Sequence, residues 1–227
     1  MNQLQNYADE RQRAWCVHCG SREPTTRDHV PSKVLLDDPL PSNLPAVGTC
    51  EACNTGVSLD EEYVACLIEC TLGESVSERD IQREKVKRCL QRSPKLVERL
   101  TRARNRLDGR TYFAAEMPRV RNVVLKLARG HSIFDLNEPH WEEPRYLMIS
   151  PLSEMTVEQH IEFETPPSGL ELWPEVGSRA MRLVSGSPGA SPWVVVQSNR
   201  YRCLATVDDG LLVRMVLSEY LACEVRW

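Results

Sequence analysis

Two Cys-x-x-Cys pairs constrain the fold of this chain more than any other feature of its sequence. The first pair is Cys16 and Cys19, the second is Cys50 and Cys53, and 30 residues separate Cys19 from Cys50. A tetrahedral Zn²⁺ ion binds four thiolates, and each tight Cys-x-x-Cys turn can supply two of them. The spacing predicts a structural zinc site that holds together the two ends of an inserted segment. The alternative is four buried thiols without a metal.

The other cysteines and the first residues of the chain favour a reducing compartment. The chain has nine cysteines, an odd number, and it starts with a polar segment that lacks the apolar region of a secretory signal. A disulfide framework is therefore not expected. The cysteines outside the two pairs are predicted to be small buried hydrophobic residues: Cys66, Cys70, Cys89, Cys203 and Cys223. Since no apolar run approaches about 18 residues, we expect a cytoplasmic protein with no membrane partner.

Apolar periodicity divides the chain into a helical part and a β-rich part. The 227 residues allow either one large α+β body or a small module fused to a second one. The predicted helices cover residues 1–14, 58–72, 78–107 with a break at Ser93–Pro94, and 118–128 with Gly130 as the C-terminal cap. Asp108–Gly109 is interpreted as the stop of the basic helical stretch.

Short β-rich runs bounded by turn residues follow residue 137. The predicted strands are Tyr146–Ile149, Val157–Phe163, Met181–Val184, Trp193–Gln197, Tyr201–Val207, Leu211–Leu217 and Leu221–Trp227. Asp209–Gly210 is predicted to be a hairpin turn. We therefore expect an α+β fold with a metal-bearing unit over residues 1–74. A helical and then antiparallel β-rich accessory region over residues 75–227 would pack as one body with it.

Charge is distributed unevenly along the chain. The net charge is −4, yet residues 78–130 carry 16 basic and 6 acidic side chains between two acidic flanks. Such a basic segment can bind a polyanion. The candidate nucleic-acid-binding residues are Arg83, Lys87, Arg88, Lys95, Arg99 and Arg102. The alternative is a solvated helix face with intrahelical ion pairs.

A recognisable pattern lies between and just after the cysteine pairs. It consists of Asp28-His29-Val30-Pro31, Asn43, and the segment Asn54–Tyr63 directly after the last cysteine. Over about residues 15–70 this arrangement resembles the zinc-bearing branch of the HNH (ββα-metal) endonucleases. The resemblance implies that the N-terminal unit is a zinc-stapled ββα-metal module that hydrolyses phosphodiester bonds.

The resemblance also implies a role for each residue of the pattern. His29 would be the general base, since a histidine with a pKa of about 6.5 can take a proton from water at neutral pH. Asp28 and Asn54 would hold one divalent metal. Their oxygen atoms suit Mg²⁺ or Mn²⁺ better than a second zinc. Asn43 would brace the loop that orients the histidine.

The sequence departs from the commonest family pattern at two positions. Many relatives have histidine where Asn54 stands and lysine where Val57 stands. Glu61 or Glu62, with Glu62 preferred, is a candidate further metal ligand on the same helical face. The alternative is an acidic first helical turn that the helix dipole favours. His18, inside the first knuckle, is expected to be exposed and not to bind metal.

Three functions fit these residues. The first is a metal-dependent DNA endonuclease, favoured because a pure scaffold has no chemical need of Asp28, His29 and Asn54. The second is a non-catalytic zinc module that binds nucleic acid or a partner protein. The third is a nuclease subunit active only with a partner, as in a defence complex. A homodimer is compatible with each of them.

Overall fold

The protein is a mixed α+β structure, which confirms the predicted fold class. The computed structural model describes residues 14–22, 24–167 and 193–227. In these ranges helices pack against an antiparallel sheet. The predicted strand over residues 181–184 lies outside the described residues, and so does the predicted first helix apart from residue 14.

The N-terminal unit is a short antiparallel strand pair followed by two helices. Strand β1 (Thr26–His29) pairs with β2 (Ala46–Thr49), so that Asp28 lies opposite Val47. Helices α1 (Glu51–Gly56) and α2 (Ser58–Leu72) follow β2 directly. The second cysteine pair thus lies at the turn from strand to helix, and the first pair precedes β1.

The basic middle of the chain contains two helices, with the predicted break between them. Helix α3 (Glu84–Arg92) ends at Ser93, and α4 (Pro94–Ala103) begins with the proline. The Ser93 hydroxyl accepts a hydrogen bond from the Leu96 amide and so caps α4. Proline is tolerated at the first helical position because its missing N–H has no partner there.

The helix does not continue to residue 107, which corrects the sequence prediction. Residues Arg104–Leu107 form strand β3, which pairs with β4 (Arg110–Phe113). Asp108 and Gly109 both have positive φ angles, 49° and 77°. Two consecutive positive φ values define the type I′ turn that matches the twist of a hairpin. Asp108–Gly109 is therefore a hairpin turn and not a helix stop.

Helix α5 (Met117–Leu136) is longer than the sequence predicts, and Gly130 lies inside it. The helix ends at Asn137, which adopts the left-handed conformation with a φ of 59°. A Cβ atom on Gly130 would lie 2.6 Å from Cγ2 of Val30. The glycine is therefore needed for the close approach of α5 to the end of β1, and it is not a helix cap.

The C-terminal part is a five-stranded antiparallel sheet with the order β5-β9-β8-β7-β6. Its strands are β5 (Tyr146–Pro151), β6 (Val194–Gln197), β7 (Tyr201–Val207), β8 (Leu211–Leu217) and β9 (Leu221–Arg226). The predicted turn at Asp209–Gly210 joins β7 to β8, and this prediction is confirmed.

One predicted strand of this region is wrong. Residues Val157–Glu164 form helix α6. Its start is fixed by a capping box, in which Thr156 and Gln159 each accept a backbone N–H of the other residue. These two hydrogen bonds satisfy amides that a helix start leaves without partners, and they outweigh the β-propensity of the segment.

Helix α5 packs between α2 and the sheet, and a single apolar cluster crosses all three layers. The predicted boundary at residues 74–75 lies in the turn after α2, but this cluster continues across it. On the sheet side, His131 Nδ1 lies 2.8 Å from Asp135 and His131 Nε2 lies 2.9 Å from the Tyr201 hydroxyl. None of the helices in the described ranges is both long and apolar enough to cross a membrane.

Candidate functional site

The four cysteines of the two pairs come together at one point. The Sγ atoms of Cys16, Cys19, Cys50 and Cys53 all lie within 4.8 Å of one another, a cluster that can hold a zinc ion. The first turn is closed by a hydrogen bond of 2.8 Å from the Gly20 amide to the Cys16 carbonyl. Gly20 has a φ of +74°, which favours glycine.

Electrostatics within the cluster favour a bound cation. Burial opposes ionisation of Cys16, but hydrogen bonds from the Cys50 amide and the Thr49 hydroxyl outweigh it and lower the pKa of Cys16 to about 6. Burial and the neighbouring thiols raise the pKa of Cys53. Four thiolates therefore cannot form side by side unless a positive charge compensates them.

An open cleft of about 250 Å³ lies beside this cluster, between β1 and the start of α2. It brings together the predicted residues Asp28, His29 and Asn54 with acidic residues of α2. Its polar lining includes Asp28, His29, Ser32, Asn54, Ser58, Glu61 and Glu62. Asn43 is not part of this lining, since it lies exposed in the turn before β2.

Both carboxylate oxygens of Asp28 have partners. Oδ2 lies 3.0 Å from Nε2 of His18, and Oδ1 lies 3.0 Å from Nζ of Lys126. Burial opposes ionisation of this carboxyl group, but the His18 hydrogen bond and the charge of Lys126 outweigh it, so the pKa of Asp28 lies below its usual value. Asp28 is thus a fixed carboxylate at neutral pH. The prediction that His18 is exposed is wrong. Its side chain is only 8% exposed and links the first cysteine knuckle to Asp28 in the cleft.

Lys126 is the cation that joins two acidic residues at the base of the cleft. Its side chain is only 4% exposed, and its ammonium group contacts Glu61 as well as Asp28. The Ser32 hydroxyl donates to the same oxygen of Glu61. Sequence reasoning missed Lys126 because it lies 65 residues from Glu61. A signal was present, since Lys126 is the single charged residue in the otherwise apolar run over residues 123–128.

His29 is held in one orientation by the backbone of the inserted segment. Its Nδ1 lies 3.3 Å from the carbonyl oxygen of Pro45, two residues after Asn43. A carbonyl oxygen only accepts hydrogen bonds, so in the neutral ring Nδ1 carries the proton and Nε2 keeps its lone pair. Burial and the charge of Lys33 lower the pKa of His29 below 6.5. The ring is therefore a neutral base at pH 7.

Asn54 and Glu62 complete a set of oxygen donors. The Asn54 Nδ2 group lies 3.2 Å from Thr26 Oγ1 and 3.4 Å from the Arg27 carbonyl, so the amide nitrogen is engaged within the protein. Glu62 lies 3.5 Å from the guanidinium group of Arg92. Asp28, Asn54 and Glu62 thus line one cleft with oxygen atoms, the kind of donor that Mg²⁺ and Mn²⁺ prefer.

Arg83, one of the predicted nucleic-acid-binding residues, is buried and paired within the protein. Its guanidinium group donates to Asp37 at 2.7 Å and to the carbonyls of Val34 and Leu36 at 2.8 and 3.0 Å. Arg83 therefore braces the inserted segment against the start of α3.

The other predicted nucleic-acid-binding residues lie nearer the surface. Three of them form ion pairs with neighbouring acidic groups: Lys87 with Glu84 at 2.8 Å, Arg99 with Glu116 at 3.3 Å and Arg102 with Glu98 at 2.7 Å. Arg88 and Lys95 are exposed. The helical face is therefore partly neutralised by its own acidic side chains.

Comparisons with known proteins add no family to this geometry. No protein-family model, no curated protein and no solved structure matches the chain. Function must therefore be inferred from the cleft and the cysteine cluster themselves.

Proposed function

We propose that the protein is a metal-dependent endonuclease that hydrolyses DNA phosphodiester bonds in the cleft beside the cysteine cluster. One observation carries the proposal. A neutral histidine with its Nε2 lone pair available lines the same cleft as Asp28 and Asn54. A hydrolase needs a base for water and a positive charge that compensates the phosphate. His29 can supply the base, and a divalent cation held by Asp28 and Asn54 would supply the charge.

Each residue of the cleft has a chemical task in this proposal. His29 Nε2 takes the proton from the attacking water, while the Pro45 carbonyl holds the ring through Nδ1. Asp28 and Asn54 would hold Mg²⁺ or Mn²⁺, with Glu62 as a further ligand. When bound, such a cation stabilises the negative charge on the phosphate and on the leaving oxygen. Lys126 keeps Asp28 ionised and in place.

The cysteine cluster has a structural task in this proposal. We infer that it binds Zn²⁺ and thereby fixes the loop before β1 to the start of α1. Cys53 is followed directly by Asn54, and His18 in the first knuckle contacts Asp28. The zinc site would thus set the positions of both proposed metal-binding side chains.

The test is a cleavage time course on supercoiled plasmid DNA in Mg²⁺ and in Mn²⁺. We expect His29→Ala to slow cleavage at least about 100-fold, the usual loss when a general base is removed. His160→Ala is the matched control, since His160 is exposed on α6, where it lies 3.9 Å from Glu164 and outside the lining of the cleft. This control should cleave at the wild-type rate.

Two outcomes would contradict the proposal. Equal cleavage by wild type and His29→Ala would place the activity elsewhere or in a contaminant. Binding of DNA without cleavage in either cation, with the cysteine cluster loaded with zinc, would favour the non-catalytic nucleic-acid-binding module instead.

A further inference from the structure

The β3–β4 hairpin carries positive charge that no ion pair among the described residues neutralises. In the part of the chain that the structure describes, its strands pair with each other and with no other strand, and every residue of β3 is exposed. Arg110 on β4 is exposed as well. In the described ranges neither Arg110 nor Arg104 or Arg106 on β3 has an ion-pair partner. Asp108 in the turn carries one opposite charge, so the three arginines leave the hairpin with a net charge of +2.

The two faces of this hairpin differ in chemistry. Arg104 and Arg106 share one face, because side chains alternate along a strand. The opposite face carries Arg110 together with two exposed apolar side chains, Leu107 at 64% and Tyr112 at 45% exposure. Exposed apolar and arginine side chains on one short ribbon are typical of a binding surface. Phe113 at the base of the hairpin packs against the main apolar cluster, whereas Leu107, Tyr112 and the three arginines are exposed to an external partner.

The base of the hairpin is fixed to the helix that lines the cleft. The Ala114 amide donates to the Ala103 carbonyl at 2.9 Å and closes the base. Just beyond, the Glu116 amide donates to the Tyr63 hydroxyl at 2.8 Å. Tyr63 directly follows the cleft residue Glu62 on α2. Four residues at about 3.3 Å each place the tip about 13 Å beyond this base.

We propose that the β3–β4 hairpin is an arm that enters the major groove of duplex DNA beside the cleft. This inference rests on the proposed nuclease function and specifies its substrate as B-form duplex. The major groove of B-DNA, about 12 Å wide, admits a two-stranded ribbon, whereas the deep and narrow major groove of A-form RNA does not. Arg104, Arg106 and Arg110 supply the charge that meets the phosphates and base edges.

The experiment measures binding without cleavage. His29→Ala protein is titrated with a fluorescent 20-base-pair DNA duplex and, in parallel, with the RNA duplex of the same sequence, over a range of salt concentrations. The test variant adds Arg104→Ala and Arg106→Ala. The matched control adds Arg22→Ala and Arg79→Ala, which removes the same charge from exposed positions outside the hairpin and outside the predicted nucleic-acid-binding set. All four positions are exposed, so both variants should melt at the temperature of the parent.

We expect the hairpin variant to raise the Kd for the DNA duplex at least about tenfold and to reduce the salt dependence by about two counterions. The control should change the Kd by less than about threefold. Two outcomes would contradict the proposed arm. The first is an equal loss of DNA affinity in the two variants, and the second is a parent protein that binds the RNA duplex as tightly as the DNA duplex.

The same variants separate this inference from the nuclease proposal. If Arg104→Ala and Arg106→Ala change neither the cleavage rate of the otherwise wild-type protein nor the Kd for DNA, the proposed arm is wrong and the nuclease proposal is unaffected. Hairpin-dependent DNA binding by a protein that cleaves nothing would support the arm and contradict the nuclease.

Discussion

The β1–β2 strand pair and the C-terminal sheet are stabilised in opposite ways. Strands β1 and β2 have four residues each, and the apolar cluster beneath them has five members: Val17, Val30, Val47, Ile133 and Phe134. The last two belong to α5. In the sheet, β8 has seven residues and all of them are buried. The sheet, like helix α2, can thus rely on hydrophobic burial, whereas the strand pair needs cross-links.

This difference explains where the open cleft lies. A unit that is held by four cysteines and by one long helix can leave polar side chains along a cleft without losing its fold.

The buried charges of the two regions show the same contrast. Arg214 in the sheet contacts Glu224 at 2.7 Å and donates to three backbone carbonyls, which satisfies it within the protein. Lys126 instead joins two carboxylates that border an open cleft.

Loss of the zinc that we propose for the cysteine cluster should have the largest effect on this comparison. We expect Cys53→Ser, or prolonged chelation, to unfold the β1–β2 strand pair and abolish cleavage while the sheet and α2 stay folded. Structural zinc contributes roughly 10 kcal/mol or more of apparent binding free energy, which a small unit cannot replace. Zinc content, together with hydrogen exchange of β1 and of β8, would measure the effect.

The control is Cys223→Ala in β9, where the thiol is fully buried away from the cluster. This variant should keep its zinc. Its free energy of unfolding should fall only by the small amount expected when one buried sulfur atom is removed from the core. If Cys53→Ser kept protected β1 amides, the strand pair would be hydrophobically stabilised and the contrast between the regions would be wrong.

Removal of the Lys126 charge should have the next largest effect. Lys126→Met leaves Asp28 and Glu61 without their shared cation in a buried position. Breaking a buried pair from one side costs about 3 kcal/mol, because the remaining charges are uncompensated. Urea unfolding would measure the loss. Adding Glu61→Gln to the variant should restore part of the stability, and no recovery would show that Lys126 acts through packing alone.

Sequence reasoning is most informative where the signal is local. The cysteine spacing predicts the cluster that the structure shows. Asp28, His29 and Asn54, which depend on only a few neighbouring residues, lie in one cleft, while their catalytic and metal-binding roles stay predictions. The β-rich runs after residue 193 are long enough to define strands. These strands also alternate with turn residues, so their bounds are predicted closely.

Sequence reasoning failed where distant contacts or competing local signals decide. Lys126 and His18 reach Asp28 from other parts of the chain, and no spacing rule connects them. The residues of Arg104–Leu107 include good helix formers, so only the Asp-Gly type I′ turn distinguishes their hairpin from a helix. Glycine is common at helix C-terminal caps, so the sequence suggests a cap at Gly130. The close approach of Gly130 to Val30 depends on the three-dimensional position of α5 and cannot be derived from local sequence.

The smallest expected effect concerns the contact between the two regions. Asp37, in the inserted segment, lies 2.7 Å from Nε of Arg83 and 2.5 Å from Nε of Arg200, which precedes β7. Burial opposes ionisation of Asp37, but hydrogen bonds from both arginines outweigh it and hold its pKa below the usual value of 3.8. The contact should therefore stabilise the protein at neutral pH.

The pH dependence of this contact follows from the sign of the shift. A carboxyl group whose pKa is lower in the folded state stabilises the protein above its unfolded pKa and loses this contribution as the pH falls through the folded value. Since the Asp37 side chain is 39% exposed, we expect at most about 1 kcal/mol. Asp37→Asn should thus reduce stability at pH 7 and approach wild type as the pH falls from about 4 through the lower pKa of folded Asp37. Burial and the charge of Asp37 raise the pKa of the neighbouring Glu69, so both proteins are compared in a Glu69→Gln background. A difference in unfolding free energy that stays constant with pH would show that the charge of Asp37 does not contribute to the contact.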